Sequence, residues 1–376
     1  MHVSIAALHR PTQPTGVCRH AINLAQCLVV EETVDRVTLI IGDWQTDYFK
    51  TAFDLSSDKI KLEIVTIENK SVSRNLWYLF GLPRLAKRLA TDILHLSFPL
   101  PFVRRWFRMP IAATIHDLYP YEYPENFGYP QVLFNQKFLD LCIRGSDGLC
   151  CVSNTTRTAL EYYFPLSRSQ KSVTVIYNYV DFGKPTLTVP EHFDISYSPH
   201  FILCVAQHRK NKNIDILIES YARLIKTDSI HSDITLIIVG SSGPETKHLH
   251  QLIEMLDLRK KVIFMSALKD SELCWLYDRC ALFVIPSSTE GFCLPLIEAL
   301  SFSCRVVCSD IPIFREVGSS YCQYFNLQSN PIQSLADTIT KSLSQSGNGK
   351  QPFHMDKRFS RTIISKQIFS FYKTLF

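Results

Sequence analysis

Two glutamates, Glu290 and Glu298, stand with seven residues between them in the stretch Pro286-Ser287-Ser288-Thr289-Glu290-Gly291-Phe292-Cys293-Leu294-Pro295-Leu296-Ile297-Glu298-Ala299-Leu300. The apolar run before it, Ala281-Leu282-Phe283-Val284-Ile285, has the length and composition of a strand covered on both faces of a parallel sheet. Gly291 permits a turn that a Cβ resists, and Pro295 suits the first helical position, where its missing N–H would be unpaired anyway. Backbone N–H groups at such a helix start, beyond the carboxyl end of a parallel strand, form an anion site. With Glu290 in the loop and Glu298 about a turn into the helix, both carboxylates can face a ligand lying across the helix start.

Cations for the same ligand occur in Gln207-His208-Arg209-Lys210-Asn211-Lys212-Asn213. Between strand and helix, this loop projects at the strand's carboxyl end, on the rim that carries Glu290. By itself it reads equally as a solvated basic turn with Asn213 as helix N-cap; the shared rim favours Arg209 and Lys212 as binders of an anion. His116-Asp117 closes the run Ala112-Ala113-Thr114-Ile115. A lone histidine at a strand end is often a satisfied structural group, but a polar pair there is costly unless used or hydrated. Gly16, in the first strand-to-helix loop, is an ordinary turn residue on spacing alone, and Ser153 and Asn154 read as a helix N-cap.

The scaffold that must position these residues alternates strand and helix. Strands are expected over 3–8, 37–41, 62–67, 93–96, 111–115, 148–152 and 173–177, and helices over 19–29, 74–90, 131–143 and 154–162. Residues 182–200, with Gly183, Pro185, Pro190 and Pro199, break both periods and read as a linker. A second series follows, with strands over 201–205, 234–239, 262–265, 281–285 and 305–308 and one near Tyr324. Its helices are expected over 214–225, 245–256, 270–280 and 332–343, with another beginning at Pro295. Pro312 reads as a short turn, Ser346-Gly347-Asn348-Gly349 as a polar break, and 359–375 as a last helix. The fold class is α/β, as two Rossmann-like domains facing across a central cleft. The expected division is 1–182, a linker over 183–200, 201–350, and a C-terminal helix over 351–376 that packs back on the first domain.

Composition narrows the function classes. The 376 residues are 46% hydrophobic and 20% charged, with a net charge of +5, too small to indicate a nucleic-acid partner. Twelve cysteines form no C-x-x-C pair and no zinc-like spacing, as expected of buried thiols in a reducing compartment. No signal peptide and no apolar run of roughly 20 residues is present, so a cytoplasmic protein is expected. The absence of G-x-G-x-x-G after the first strand and of G-x-x-x-x-G-K removes the main support for hydride transfer or P-loop phosphoryl transfer. No D-x-D occurs, so a diphosphate would be neutralised by backbone dipoles and cationic side chains, with no metal and no cofactor. Lys70, Arg74, Arg84, Lys87, Arg88, Arg104, Arg105 and Arg108 interleave with Trp77, Tyr78, Phe80, Leu82, Trp106 and Phe107. That pattern fits peripheral contact with anionic lipid at the inner face of a membrane, or a core-facing helix with a solvated cationic face.

With these blocks in place the chain resembles the retaining GT-B glycosyltransferases of the E-x7-E type, glycosyltransferase family 4 or group 1. The resemblance rests on Glu290-Gly291-Phe292, Leu294-Pro295 and Glu298-Ala299, with Lys212-Asn213, Val239-Gly240, Leu276-Tyr277, Arg315-Glu316-Val317, Thr114-Ile115-His116-Asp117, Ser153 and Gly16 in the same order. It implies transfer of a hexose from a nucleotide-sugar to a glycan or lipid-linked acceptor, with retention and without a metal. The first domain would bind the acceptor and the second the nucleotide-sugar. Glu290 would contact donor-sugar hydroxyls, Gly291, Phe292, Cys293 and Leu294 would approach sugar and phosphates, and Glu298 would hold the ribose. Lys212, with Arg209, would neutralise the leaving diphosphate. His116 would lie by the donor sugar, and Gly16 would let the first loop approach the phosphates. GDP-mannose is the favoured donor by association with similar cell-surface mannosyltransferases, with UDP-hexose next.

The chain departs from that family where Cys293 and Ser303 replace glycine, Arg305 replaces proline, Tyr179 replaces glycine, and Gln207 or Asn211 stands for arginine. Cys293 puts a side chain where backbone approach to the ligand is expected. The rival expectation is therefore a non-catalytic homologue that binds a nucleotide-sugar or glycan as a partner or sensor.

Overall fold

A computed structural model of the chain describes residues 1–165, 172–180, 186–191, 200–231, 233–345 and 357–376. It divides into two units, Met1–Val180 with Asp356–Phe376, and Asp181–Met355. Of the expected linker over 183–200, residues 183–185 and 192–199 lie outside the described residues, as does the polar break at Ser346 to Gly349.

The first unit is built on an all-parallel sheet of strands β1 (His2–Ala6), β2 (Arg36–Gly42), β3 (Ile60–Val65), β4 (Ile93–Leu96), β5 (Ile111–Ile115), β6 (Gly148–Cys151) and β7 (Ser172–Val175), in the order β3-β2-β1-β4-β5-β6-β7. Strand alternation sends Leu39 and Ile41 into one core layer and Ile40 into the other, so helices cover both faces. The helix Gly16–Leu28 buries Cys18, Ala21, Ile22, Ala25 and Leu28, a three- and four-residue spacing that makes one apolar face. Into the same layer the last helix, Arg361–Lys373, inserts Ile364, Ile368, Phe371 and Tyr372, each burial worth about 1.5–3 kcal/mol. Arg361 Nε also donates to the Gln26 carbonyl at 2.9 Å, and Ser365 Oγ to Glu31 Oε1 at 2.7 Å.

The helix expected over 74–90 is instead two, Ser71–Leu76 and Leu82–Arg88, joined by a π turn over Trp77–Gly81 in which the Leu82 N–H reaches the Trp77 carbonyl. The cause is Pro83, which has no N–H for the carbonyl four residues back and whose ring would strike it. Gly81 is required at this turn, since a Cβ there would lie 2.4 Å from the Trp77 ring.

The second unit has a six-stranded parallel sheet of β8 (Phe201–Val205), β9 (Thr235–Val239), β10 (Val262–Met265), β11 (Leu282–Ile285), β12 (Val306–Ser309) and β13 (Cys322–Phe325), ordered β10-β9-β8-β11-β12-β13. The helix Ile214–Lys226 buries Ile214, Leu217, Ile218, Tyr221 and Leu224 against it. Pro312, read as a turn, opens a helix, Pro312–Gly318, because proline is well placed in a first turn whose N–H groups have no intrahelical acceptor. All twelve cysteines are buried thiols, none of them in a disulfide. Both sheets reverse strand order in the middle, at β1 beside β4 and at β8 beside β11, the positions where parallel α/β sheets hold ligands at their carboxyl ends.

Candidate active site

At the reversal in the second unit, two loops are stitched together. After β8 the chain forms a 3₁₀ turn, Lys210–Lys212, and Asn213 then takes a left-handed conformation with φ 48°, which asparagine tolerates. Asn213 stands before the Ile214 helix as the sequence suggests, but its side chain does not cap it; Nδ2 donates to the Pro286 carbonyl at 2.9 Å. The Asn211 Nδ2 donates to the Thr289 carbonyl at 3.3 Å, and the Ser288 N–H to the Asn211 carbonyl at 2.9 Å. Ser309 Oγ, from β12, donates to the Ser287 carbonyl behind them. Gly240 lets the neighbouring β9 edge close in, because a Cβ there would lie 1.9 Å from the Ala206 carbonyl oxygen.

This stitching sets Lys212 Nζ 2.6 Å from Glu290 Oε1, and Ser287 Oγ donates to the same oxygen at 2.9 Å. The lysine and glutamate side chains are 18% and 13% exposed, so their charges are partly desolvated and matched to each other. Glu290 Oε2 has no partner among the described residues and remains available to accept from a ligand hydroxyl. Arg209 lies exposed at the start of the same turn.

The helix Leu294–Ser301 starts one residue before Pro295, with Cys293 as its cap at φ 66° and ψ 75°. A left-handed backbone at a residue with a Cβ is strained, which gives a physical reason for glycine at this place. Ser303, the other position where the resemblance calls for glycine, is also left-handed, at φ 58°. Burial pushes the Cys293 thiol well up, with the Glu290 carboxylate adding to it, so the sulfur is held as a neutral thiol. Gly291 is partly exposed and Phe292 is buried beside it. Glu298 is 4% exposed and accepts from the Tyr277 hydroxyl at 2.9 Å, whose own ionisation is pushed well up, first by burial and then by that carboxylate.

His116 and Gly16 belong to the first unit. Its helix begins at Gly16 rather than at Arg19, with Thr15 as N-cap, so Gly16 opens the helix at the carboxyl end of β1. His116 follows β5, and its Nε2 lies 2.8 Å from the Ser97 carbonyl, beyond β4. A carbonyl only accepts, so Nε2 carries the proton and Nδ1 presents a lone pair. Burial lowers the His116 pKa from its ordinary value and keeps the ring neutral. Ser153 is a true N-cap, accepting from the Thr156 N–H at 2.9 Å.

Ser287 and Asn211 are supporting residues to which motif reading assigns no role, hinted at only by the polar composition of the two loops; Asn213 and Tyr277 stand in the blocks that carry the resemblance, but their bonds to the Pro286 carbonyl and to Glu298 were not foreseen.

The sequence matches the family description "Glycosyltransferase Family 4" over residues 14–184 and "Glycosyl transferases group 1" over residues 190–361. The O-antigen chain mannosyltransferase RfbU of Salmonella typhimurium is 25% identical over 327 residues, covering 83% of each chain. O-antigen chain mannosyltransferase B of Escherichia coli is 24% identical over 327 residues, covering 81% of each. Among solved structures, Anabaena Alr3699/HepE in complex with UDP and glucose superposes with a TM-score of 0.66 at 18% identity, over 100% of this chain and 98% of that one. WaaG, a glycosyltransferase involved in lipopolysaccharide biosynthesis, gives a TM-score of 0.68 at 15% identity, over 99% and 98%. Two parallel Rossmann-like sheets, the two family matches in tandem and relatives aligned along most of their length lead to one assignment: the chain belongs to the group 1 glycosyltransferases of GT-B fold.

Proposed function

We propose that this glycosyltransferase moves a hexose from a nucleotide-sugar to a glycan or lipid-linked acceptor, retaining the anomeric configuration and using no metal. GDP-mannose is the leading donor and a UDP-hexose the alternative. The observation that carries the reading is the Lys212–Glu290 pair at the β8–β11 reversal, where a cation and a free carboxylate oxygen lie together beside a helix start.

In the proposed reaction Lys212, assisted by Arg209, turns from Glu290 to the diphosphate and stabilises its negative charge as the bond from the anomeric carbon to the phosphate oxygen breaks. Glu290 Oε2 accepts from a donor-sugar hydroxyl. Backbone N–H groups of the 291–294 segment approach the phosphates, and Glu298 holds the ribose. The acceptor hydroxyl attacks on the face the diphosphate leaves, and a diphosphate oxygen takes its proton. The family resemblance gives the His116 lone pair at Nδ1 to a sugar hydroxyl and Gly16 to the phosphates. Support for the donor choice comes from the relatives named mannosyltransferases and from the neighbour solved with UDP and glucose.

Incubation with GDP-mannose, UDP-glucose and other nucleotide-sugars in EDTA, with glycan or polyprenyl-linked acceptors, should give transfer or slow donor hydrolysis. Transfer abolished by EDTA and restored by a divalent cation would remove the metal-free mechanism. Cys293 keeps the second reading in view: calorimetry showing tight donor binding without turnover of any donor would make the protein a nucleotide-sugar binder.

An accompanying membrane contact is supported by a stripe on the first unit. Val72, Leu76 and Phe80 are 70%, 51% and 47% exposed, and the row continues into exposed Arg84 and Arg88. Trp106 lies against Phe80 with ring centroids 5.2 Å apart, next to exposed Arg105 and Arg108. Apolar rings framed by cations suit an anionic bilayer surface. Arg74 takes no part, being buried and bonded to Asn69. No helix among the described residues is long and apolar enough to cross a membrane.

A further inference from the structure

A chain of polar side chains runs through the core of the first unit and ends beside His116. The Tyr372 hydroxyl, on the last helix, lies 2.7 Å from His95 Nδ1; His95 Nε2 lies 2.8 Å from Thr114 Oγ1; Thr114 Oγ1 lies 3.0 Å from His20 Nε2. His20 Nδ1 lies 2.7 Å from Asn178 Oδ1. His95 and Tyr372 are 0% exposed and Thr114 1%. The His20 ring then stands edge-on to His116, centroids 4.8 Å apart and planes at 87°.

With both histidines neutral, one arrangement of protons satisfies every link. The Asn178 oxygen accepts, so His20 carries its proton on Nδ1 and accepts at Nε2 from the single Thr114 hydroxyl proton. Thr114 must then accept from His95 Nε2–H, which leaves His95 Nδ1 to accept from Tyr372. The arrangement requires both histidines neutral. Burial supplies that condition, lowering His20 well below its ordinary value and His95 to about 3. Polar groups are costly in a core that apolar residues would fill more favourably, and a fully satisfied network fixes orientation.

The geometry points to His20 as a positioning residue for the transfer reaction: held by Tyr372, His95 and Thr114, its ring sets the plane of the His116 imidazole and the direction of the Nδ1 lone pair. The inference rests on the role given to His116 above. The last helix thereby bears on an active-site histidine it does not touch.

The test uses the full-length protein, Tyr372→Phe, which keeps the ring and removes one donor, and His20→Leu. In ¹⁵N-histidine NMR, the unliganded wild type should show single tautomers, protonated at Nδ1 on His20 and at Nε2 on His95 and His116. In Tyr372→Phe the His95 signals should move toward a tautomer mixture and those of His20 and His116 should shift, His20 staying protonated on Nδ1 through Asn178, with the protein still folded at a melting temperature lowered by the lost donor. Hydrolysis of GDP-mannose and UDP-glucose supplies the second readout. His20→Leu should slow it roughly tenfold, as small misplacements do, and the His20→Leu/His116→Ala double variant should be no slower than His116→Ala alone. Unchanged His20 and His116 signals in Tyr372→Phe, or additive losses in the double variant, would overturn the positioning role while leaving His116 its own. Undiminished hydrolysis by His116→Ala would overturn the reading of His116 and the inference with it. If neither donor is hydrolysed, the NMR comparison decides the positioning role by itself.

Discussion

Lys212 Nζ and Glu290 Oε1 meet at 2.6 Å although 78 positions separate them in sequence, so each loop holds the other's charge in place. The two charges neutralise each other, so in the proposed reaction a diphosphate must outcompete Glu290 for the lysine.

Lys212→Ala and Glu290→Ala should each lower turnover at least ~10²-fold, the scale of losing one charge-stabilising donor. Lys212→Met should also cost about 1–3 kcal/mol in a urea melt by leaving Glu290 partly buried without its cation. Adding Glu290→Gln should recover part of that loss, because the remaining group is then neutral. Equal stability of Lys212→Met and the wild type would show that the pair is not coupled.

Glycine should relieve the two left-handed positions differently. Ser303→Gly should stabilise by about 1 kcal/mol by removing the Cβ from an αL backbone, with no change in donor affinity. Cys293→Gly should gain less stability, since it also deletes a buried side chain, but should tighten donor binding through closer backbone approach. Calorimetric affinities for GDP-mannose and UDP-glucose, set beside melting temperatures, separate the two effects.

Stability should decline as pH falls below about 6.5. His20, His95 and His116 all have folded pKa values below the ordinary one, with burial the largest cause, and His95 stands at about 3. The unfolded chain therefore takes up protons near pH 6.5 that the folded state refuses. A single fully shifted histidine removes about 1.4 kcal/mol per pH unit until its folded pKa is reached. Denaturant midpoints between pH 7.5 and 5 should fall, and His95→Gln should make the fall shallower. A flat profile would mean that the cluster is not neutral in the folded protein.

Flotation with vesicles containing anionic lipid should recover the protein, and Phe80→Ser/Trp106→Ser should release it. Arg84→Glu/Arg105→Glu should do the same at low salt, since long-range attraction is screened over about 10 Å at 0.1 M. Recovery of both double variants at wild-type levels would sink the membrane contact.

The Pro286 to Leu300 stretch was legible because its physics is local: an apolar strand, a turn glycine, a helix-starting proline and two carboxylates in one short segment. The alternation of strands and helices was legible for the same reason. The π turn was not, although Gly81 and Pro83 mark it, because apolar spacing runs through it almost unbroken. Asn213 was placed correctly before its helix but given the wrong bond, since the Pro286 carbonyl becomes its neighbour only when β8 and β11 pair. The chain behind His116 draws on His20, His95, Thr114, Asn178 and Tyr372, and nothing in their sequence spacing announces that they meet.

The last helix buries Ile364, Ile368, Phe371 and Tyr372 in the layer that holds Val3 and Ile5. During synthesis, β1 leaves the ribosome early yet its core is complete only when residues 361–373 emerge, after the whole second unit. Domains tend to fold as units in the order they are made. Here the order is inverted: the middle of the chain can settle first, while the first half waits for the last helix. A stop codon before residue 361 would therefore leave a folded second unit joined to an unfinished first one.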